Sequence, residues 1–138
     1  DEIQAALLSA KLKHMTELED DRRRVADKYL KEITNSQIEL PKIKEGFKHV
    51  WHLFVVKCNQ RDELQRYLSD NGIGTQIHYP VPPHLSGAYK RFGYKKGDFP
   101  ITEDYADTVL SLPLYNGMTN EEADYVIEKI NMFKGVNV

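Results

Sequence analysis

HVWHLFVVKCNQRDELQRYLSDNGIGTQIHY, residues 49–79, decides the class of the fold. Its opening stretch, 49–56, is rich in β-branched and aromatic residues and reads as a buried strand. Asn59 then offers an N-cap. Asp62 and Glu63 occupy the favourable first turn, and Leu64, Tyr67 and Leu68 form one apolar stripe. Gly72 stands where a helix ends on a left-handed residue. IGTQIHY, 73–79, reads as a second strand closed by Pro80. Strand, helix and strand in succession predict an α+β domain.

Upstream, DEIQAALLSAKLKHMTELEDDRRRVADKYLKEIT (1–34) has the spacing of one long helix. Apolar or small residues recur at Ile3, Leu7, Ala10, Leu18, Val25, Tyr29 and Ile33, close to a 3.6-residue period. Leu8, Leu12 and Met15 widen the stripe in its first half. So broad a stripe is either a wide core face or a face with a second neighbour, and periodicity does not choose between them. NSQIELPKIKEG (35–46) is polar and contains proline, which reads as a loop with a short extended piece.

Downstream, VPPHLSGAYKRFGYKKGDFP (81–100) is punctuated by proline and glycine and holds at most a short helix at 88–92. ITEDYADTVLSLPLY (101–115) reads as a helix capped by Thr102 and running into a strand at 110–114. Thr119 opens a capping-box pattern, TNEE, ahead of a helix that buries Ala123, Val126, Ile127 and Ile130. These elements predict a small sheet covered by helices on one face.

At 138 residues, 41% hydrophobic and 29% charged, the chain is the size of one ordinary soluble globular domain, taken as 1–138. A formal net charge of −2 argues against a broad nucleic-acid footprint, which needs clustered positive charge. The lone Cys58 forms no internal disulfide and offers too few thiolates for a metal site. No apolar run approaches the roughly 20 residues that span a bilayer, and no secretory signal opens the chain. The expectation is a cytoplasmic, reduced protein.

Chemistry is concentrated in one segment. Arg22-Arg23-Arg24 follows Glu19 and Asp20 at i,i+4 spacing, which predicts a solvated, self-paired helix face. On a strand His49 and His52 point to opposite faces, so they do not share a metal, and each reads as a hydrogen-bonded structural histidine. Cys58 reads as a buried thiol. Gly72-Ile73-Gly74 lacks the remaining glycine of a dinucleotide loop.

His78-Tyr79-Pro80-Val81-Pro82-Pro83-His84 is more informative. Its prolines fix φ and remove backbone donors, so the chain leaves the sheet on a stiff, extended path. Ionisable side chains held on such a loop at a strand end are what a binding site requires. A rigid crossover whose histidines bond only internally accounts for the same residues. A metal site is disfavoured, since no third ligand has recognisable spacing.

Several motifs, taken in order, resemble one family. Asp-Glu-Ile-Gln-Ala-Ala (1–6) leads to Lys11-Leu12-Lys13-His14, and Arg22-Arg23-Arg24 precedes Ala26 and Tyr29. His52-Leu53-Phe54-Val55-Val56 precedes Arg61-Asp62-Glu63-Leu64. Gly72-Ile73-Gly74-Thr75, Ile77-His78-Tyr79-Pro80 with Pro82-Pro83-His84, and Leu110-Ser111-Leu112-Pro113-Leu114 follow. The chain resembles the C-terminal portion of DegT/StrS-type sugar aminotransferases over nearly all its length, and most closely the members that aminate a keto group on a 6-deoxyhexose carried by a nucleoside diphosphate.

The resemblance implies the small domain of a fold-type I aminotransferase, a small antiparallel sheet packed by helices, excised from a longer chain. The family's pyridoxal phosphate is a Schiff base on a lysine of the large domain, with an aspartate on the pyridine nitrogen and an aromatic residue on the ring. All of these lie upstream of the present segment, and so does the motif that reaches the partner subunit's cofactor. No lysine here stands in the Schiff-base motif, so no residue is assigned a catalytic, cofactor-binding or metal role. His78 and Tyr79 match the strand-end motif facing the active-site mouth and His84 the histidine after the prolines, which implies hydrogen bonds to the sugar or its phosphates. Leu85-Ser86-Gly87-Ala88-Tyr89 departs from the Gln-Pro-Ala-Tyr of many members but keeps the tyrosine. The implied partners are a nucleotide sugar, an amino-acid donor and a second subunit. The implied products are deoxy-amino sugars, such as those of lipopolysaccharide or other surface polysaccharides. The alternative is a free-standing α+β module whose proline-rich loop holds a small anion or peptide.

Overall fold

The amphipathic stretch at the start of the chain folds as two helices rather than one. The computed structural model describes residues 1–135. In it α1 (Glu2–Leu12) is capped by Asp1, whose Oδ1 accepts from the Gln4 N–H at 3.2 Å. The chain turns at Lys13 and His14, and α2 (Met15–Glu32) follows. Val25, Ala26 and Tyr29 of α2 are buried, whereas α1 buries nothing and Leu7 is 68% exposed. The reason is reach. The sheet beneath is only four residues deep, roughly 13 Å, so the C-terminal half of α2 alone spans it, and the apolar stripe of α1 projects beyond it.

The sheet pairs β1 (Phe54–Lys57) with β2 (Val109–Leu112) antiparallel, with Phe54 opposite Leu112 and Val56 opposite Leu110. Single antiparallel bridges extend it on both edges, Glu39 to Lys57 and Gln76 to Ser111. The expected strand at 73–79 is reduced to that Gln76 bridge. The expected strand at 49–56 starts only at Phe54, because Trp51 takes a left-handed φ of 50° and turns the chain. That conformation is unfavourable for a bulky residue. It is compensated by burial of the indole between the His49 ring (4.2 Å) and the Phe54 ring (5.2 Å), and by the Arg22 guanidinium on the Trp51 carbonyl. The facing argument for His49 and His52 therefore does not apply. His49 Nδ1 instead accepts from the Trp51 N–H.

Helix α3 (Arg61–Asp70) begins one residue later than expected, with Gln60 at the N-cap position. Helix α4 (Pro100–Thr108) starts on Pro100 and not after Thr102, since proline suits the first helical position, where no N–H bond is needed. Helix α5 (Asn120–Met132) carries the full capping box between Thr119 and Glu122. Val25, Tyr29, Phe54, Leu64, Leu110 and Ile130 belong to one continuous core between α2, α3, α5 and one face of the sheet. Burial pushes the Cys58 thiol up, as suits an inert structural cysteine.

The arginine run is only partly self-paired. Arg23 meets Glu19 and Asp20, and Arg24 meets Asp21 instead of Asp20. Arg22 turns inward and donates to the carbonyls of Trp51, His52 and Leu114. Arg24 reaches the Met118 carbonyl. Two members of the apparent surface patch thus tie α2 to distant chain, a use that local spacing does not reveal.

Candidate functional site

The core uses one face of the sheet, and the candidate site grows on the other. Along β2, Leu110 and Leu112 point to the helices, so Ser111 between them points away, in register with Val55 of β1. The 76–78 segment lies along this edge. Gln76 N–H donates to the Ser111 carbonyl at 3.2 Å and Ser111 N–H to the Gln76 carbonyl at 2.8 Å. His78 follows, with Nδ1 at 2.9 Å from Ser111 Oγ. Tyr79 is 75% exposed and stands edge-on to the His78 ring at 5.5 Å.

The prolines then carry the chain over α4. Pro82 is buried, and short 3₁₀ turns span Pro83–Leu85 and Gly87–Phe92. His84 turns inward. It is 8% exposed, with Nε2 at 3.0 Å from Glu103 Oε1 and its ring against Phe99 at 4.8 Å. Glu103 also accepts from the Gly97 and Phe99 N–H groups, at 2.9 and 3.2 Å. The Gly97 N–H above all, with help from Phe99 and His84, holds its carboxyl below the usual glutamate value.

His78 and Tyr79 line two concavities. One of about 290 Å³ lies over Val55, Val109, Tyr105 and Pro82, and one of about 500 Å³ lies beside Gln65, Thr75 and Gln76. His84 lines neither. The structure thus brings together two of the three sequence-derived site residues at these concavities and turns the third, His84, onto Glu103. A larger concavity of about 700 Å³ sits elsewhere, between α5 and the turn at Gly72–Gly74, and none of the three lines it.

Sequence reasoning assigned no role to Ser111 or Glu103. For Ser111 the available signal was a polar residue inside an otherwise apolar strand. Glu103 stands in the first turn of a helix, where a carboxylate is common enough to carry no signal. Among the described residues, no group of three or more His, Cys, Asp and Glu is placed to hold a metal ion.

Three of the lysines are held by carboxylates. Lys28, Lys57 and Lys129 have their pKa raised by hydrogen bonds to Asp124, Asp104 and Glu128 respectively, the opposite of the easily deprotonated amine that Schiff-base chemistry needs.

The DegT/DnrJ/EryC1/StrS aminotransferase family matches residues 1–131. The chain belongs to that family. Among curated DegT-family relatives, the dTDP-3-amino-3,6-dideoxy-alpha-D-galactopyranose transaminase of Aneurinibacillus thermoaerophilus is 42% identical over 133 residues, covering 96% of this chain and 36% of the relative. The dTDP-3-amino-3,4,6-trideoxy-alpha-D-glucose transaminase of Streptomyces venezuelae is 39% identical over 131 residues, covering 94% of this chain and 35% of the relative. Among solved structures, S. venezuelae DesV in complex with a ketimine intermediate superposes with a TM-score of 0.92 at 39% identity, over 95% of this chain and 36% of that one. The sugar aminotransferase fold expected from the resemblance is therefore present. The chain spans about 36% of the length of these relatives.

Proposed function

We propose that this chain is the C-terminal small domain of an enzyme that transfers an amino group from an amino acid to a keto group of a 6-deoxyhexose carried on a nucleoside diphosphate. The observation that carries the reading is the His78–Tyr79 pair, anchored on Ser111 and shared between two concavities on the face of the sheet the core leaves free. A half-buried imidazole and an exposed phenol suit a sugar, whose ring presents apolar C–H surface and whose hydroxyls and phosphates accept hydrogen bonds. In this reading His78 and Tyr79 meet the sugar or its phosphates, and His84 keeps the loop in place through Glu103.

Pyridoxal phosphate supplies the amino-transfer chemistry when bound. In this reading the cofactor is held by parts of the protein outside this chain, which is supported by the chain's covering only 36% of the length of its Aneurinibacillus relative. A second subunit completes the site. Deoxy-amino sugars for lipopolysaccharide or other surface polysaccharides are the product class. A cytoplasmic location suits the buried free thiol and a nucleotide-linked substrate, and no described helix is long and apolar enough to cross a membrane.

The test uses the full-length protein with pyridoxal phosphate, an amino-acid donor and dTDP- or UDP-linked keto sugars, reading amino-sugar formation by mass spectrometry. His78→Ala is expected to lower kcat/KM for the sugar nucleotide roughly fivefold to tenfold, the loss of one substrate hydrogen bond, and to weaken folding less, through the lost Ser111 bond. Parallel loss of activity and thermal stability would instead make His78 a structural residue. Absence of any amino sugar, with ligand binding retained, would favour a free-standing binding module.

A further inference from the structure

Ser111 is 4% exposed and is joined to the 76–78 segment through both backbone groups and its side chain. The two backbone bonds fix where the segment lies. The side-chain bond fixes something finer. Among the described residues, His78 Nδ1 is the partner recorded for the Ser111 hydroxyl, at 2.9 Å. A serine hydroxyl carries one proton, and a buried proton without an acceptor is unfavourable. Neutral imidazole has one nitrogen that donates and one that accepts. If Nδ1 carried the hydrogen, it would donate to Oγ, and the hydroxyl proton would be left facing apolar neighbours such as Val55 across the strand pair. If Nδ1 is the bare nitrogen, the hydroxyl donates to it and both groups are satisfied.

We infer that Ser111 is a positioning residue: its hydroxyl donates to Nδ1 of His78, holds the neutral ring with its hydrogen on Nε2, and so presents an N–H donor to an acceptor oxygen of the nucleotide sugar. The inference rests on the proposed contact between His78 and substrate and adds the direction of that hydrogen bond. The oxygen belongs to a sugar hydroxyl or a phosphate. Both are acceptors, and a donor of fixed orientation selects against a group that can only donate there. The logic is that of a metal-bound histidine, whose second nitrogen is set by an outer hydrogen bond. Here a serine sets the first nitrogen and substrate meets the second.

The test is ¹⁵N-histidine NMR of the full-length protein above neutral pH, with the His78 signals assigned by their loss in His78→Gln. The expected wild-type spectrum has a pyrrole-type Nε2 and a pyridine-type Nδ1. Ser111→Ala is expected to average the two forms and to raise KM for the sugar nucleotide roughly threefold to tenfold with little change in kcat, and Ser111→Thr, which keeps a hydroxyl, is expected to restore both. Comparing dTDP-linked sugars with the free keto sugar separates the oxygens: a KM effect kept with the free sugar names a hydroxyl, one lost names a phosphate. A pyrrole-type Nδ1 in the wild type overturns the inference without any variant. A raised KM in His78→Ala with a normal one in Ser111→Ala overturns the role of Ser111 alone. A normal KM in His78→Ala overturns the substrate contact and the inference with it.

Discussion

Nε2 of His84 lies 3.0 Å from Oε1 of Glu103, with both side chains nearly closed to water. One carboxylate therefore gathers the end of the proline run (His84), the Gly97 turn and the start of α4 at Phe99. Between these points the loop carries exposed Tyr89, Phe92 and Tyr94, whose rings form a chain of contacts ending on Phe99. Glu103 is what ties His84, Gly97 and Phe99, at the ends of this chain of contacts, to α4. Glu103→Ala is expected to make 83–99 a preferred site of limited proteolysis while the rest of the chain stays protected.

The same residue predicts an acid response. The Glu103 carboxyl titrates below its ordinary value because the Gly97 N–H, chiefly, bonds its charged form. A group depressed on folding adds stability above its unfolded pKa and loses it as the pH falls through the folded one. The loop should therefore loosen below the ordinary glutamate range. In Glu103→Gln, hydrogen exchange at Gly97 and Phe99 should be raised at neutral pH and show little further change on acidification.

Tyr29 predicts an alkaline response. Its hydroxyl donates to the Pro113 carbonyl at 2.9 Å within the core, and its ring meets Phe54 edge-on at 5.1 Å. Burial pushes its phenol well above the usual tyrosine value. Here the folded pKa is raised, so the stabilisation is intact below the unfolded value of about 10 and is lost as the pH rises beyond it. Tyr29→Phe should cost about 1–3 kcal/mol at neutral pH by leaving the carbonyl unpaired, and should flatten the alkaline loss. Urea midpoints at several pH values check both.

Arg22 should behave as a structural residue despite its place in a basic run. Its guanidinium bonds three carbonyls and the Asn116 side chain, holding the turn at Trp51 and the end of the Leu114 segment onto α2. Arg22→Ala is expected to cost about 1.5–3 kcal/mol. Arg22→Lys should recover little, since a point charge does not reproduce the fork of donors. Arg23→Ala, whose partners are exposed carboxylates, should cost under about 1 kcal/mol in urea unfolding.

The apolar stripe of α1 should be silent in the stability of this chain. Leu7→Ser and Leu8→Ser are expected within about 0.5 kcal/mol of the parent, against about 2–5 kcal/mol for Leu64→Ala in the core. A large loss at Leu7 would mean that α1 packs on the core.

What the sequence determined by itself was local. The apolar period of α2, α3 and α5 and the capping box at Thr119 depend on neighbours within a few residues, and each appears in the fold. The family resemblance, carried by ordered motifs, is local in the same sense. It located His78, Tyr79 and His84 and implied a substrate contact for each, without showing that His84 turns inward onto Glu103.

Tertiary structure decided whatever needs a partner far along the chain. Strand length was one such case: residues 73–79 have strand composition, yet they pair with β2 only at Gln76. The break at Trp51 was another, since an arginine some thirty residues earlier holds the unfavourable turn. So was the fate of the two histidines. His78 stays at a concave surface because Ser111 anchors one nitrogen, and His84 is turned inward, where Glu103 meets its Nε2 in a hydrogen bond closed to water. A hydrogen-bond partner brought together by folding has no periodicity to betray it. The same side chain therefore reads alike in sequence at both positions, and only packing separates the outward-facing residue from the inward-turned one.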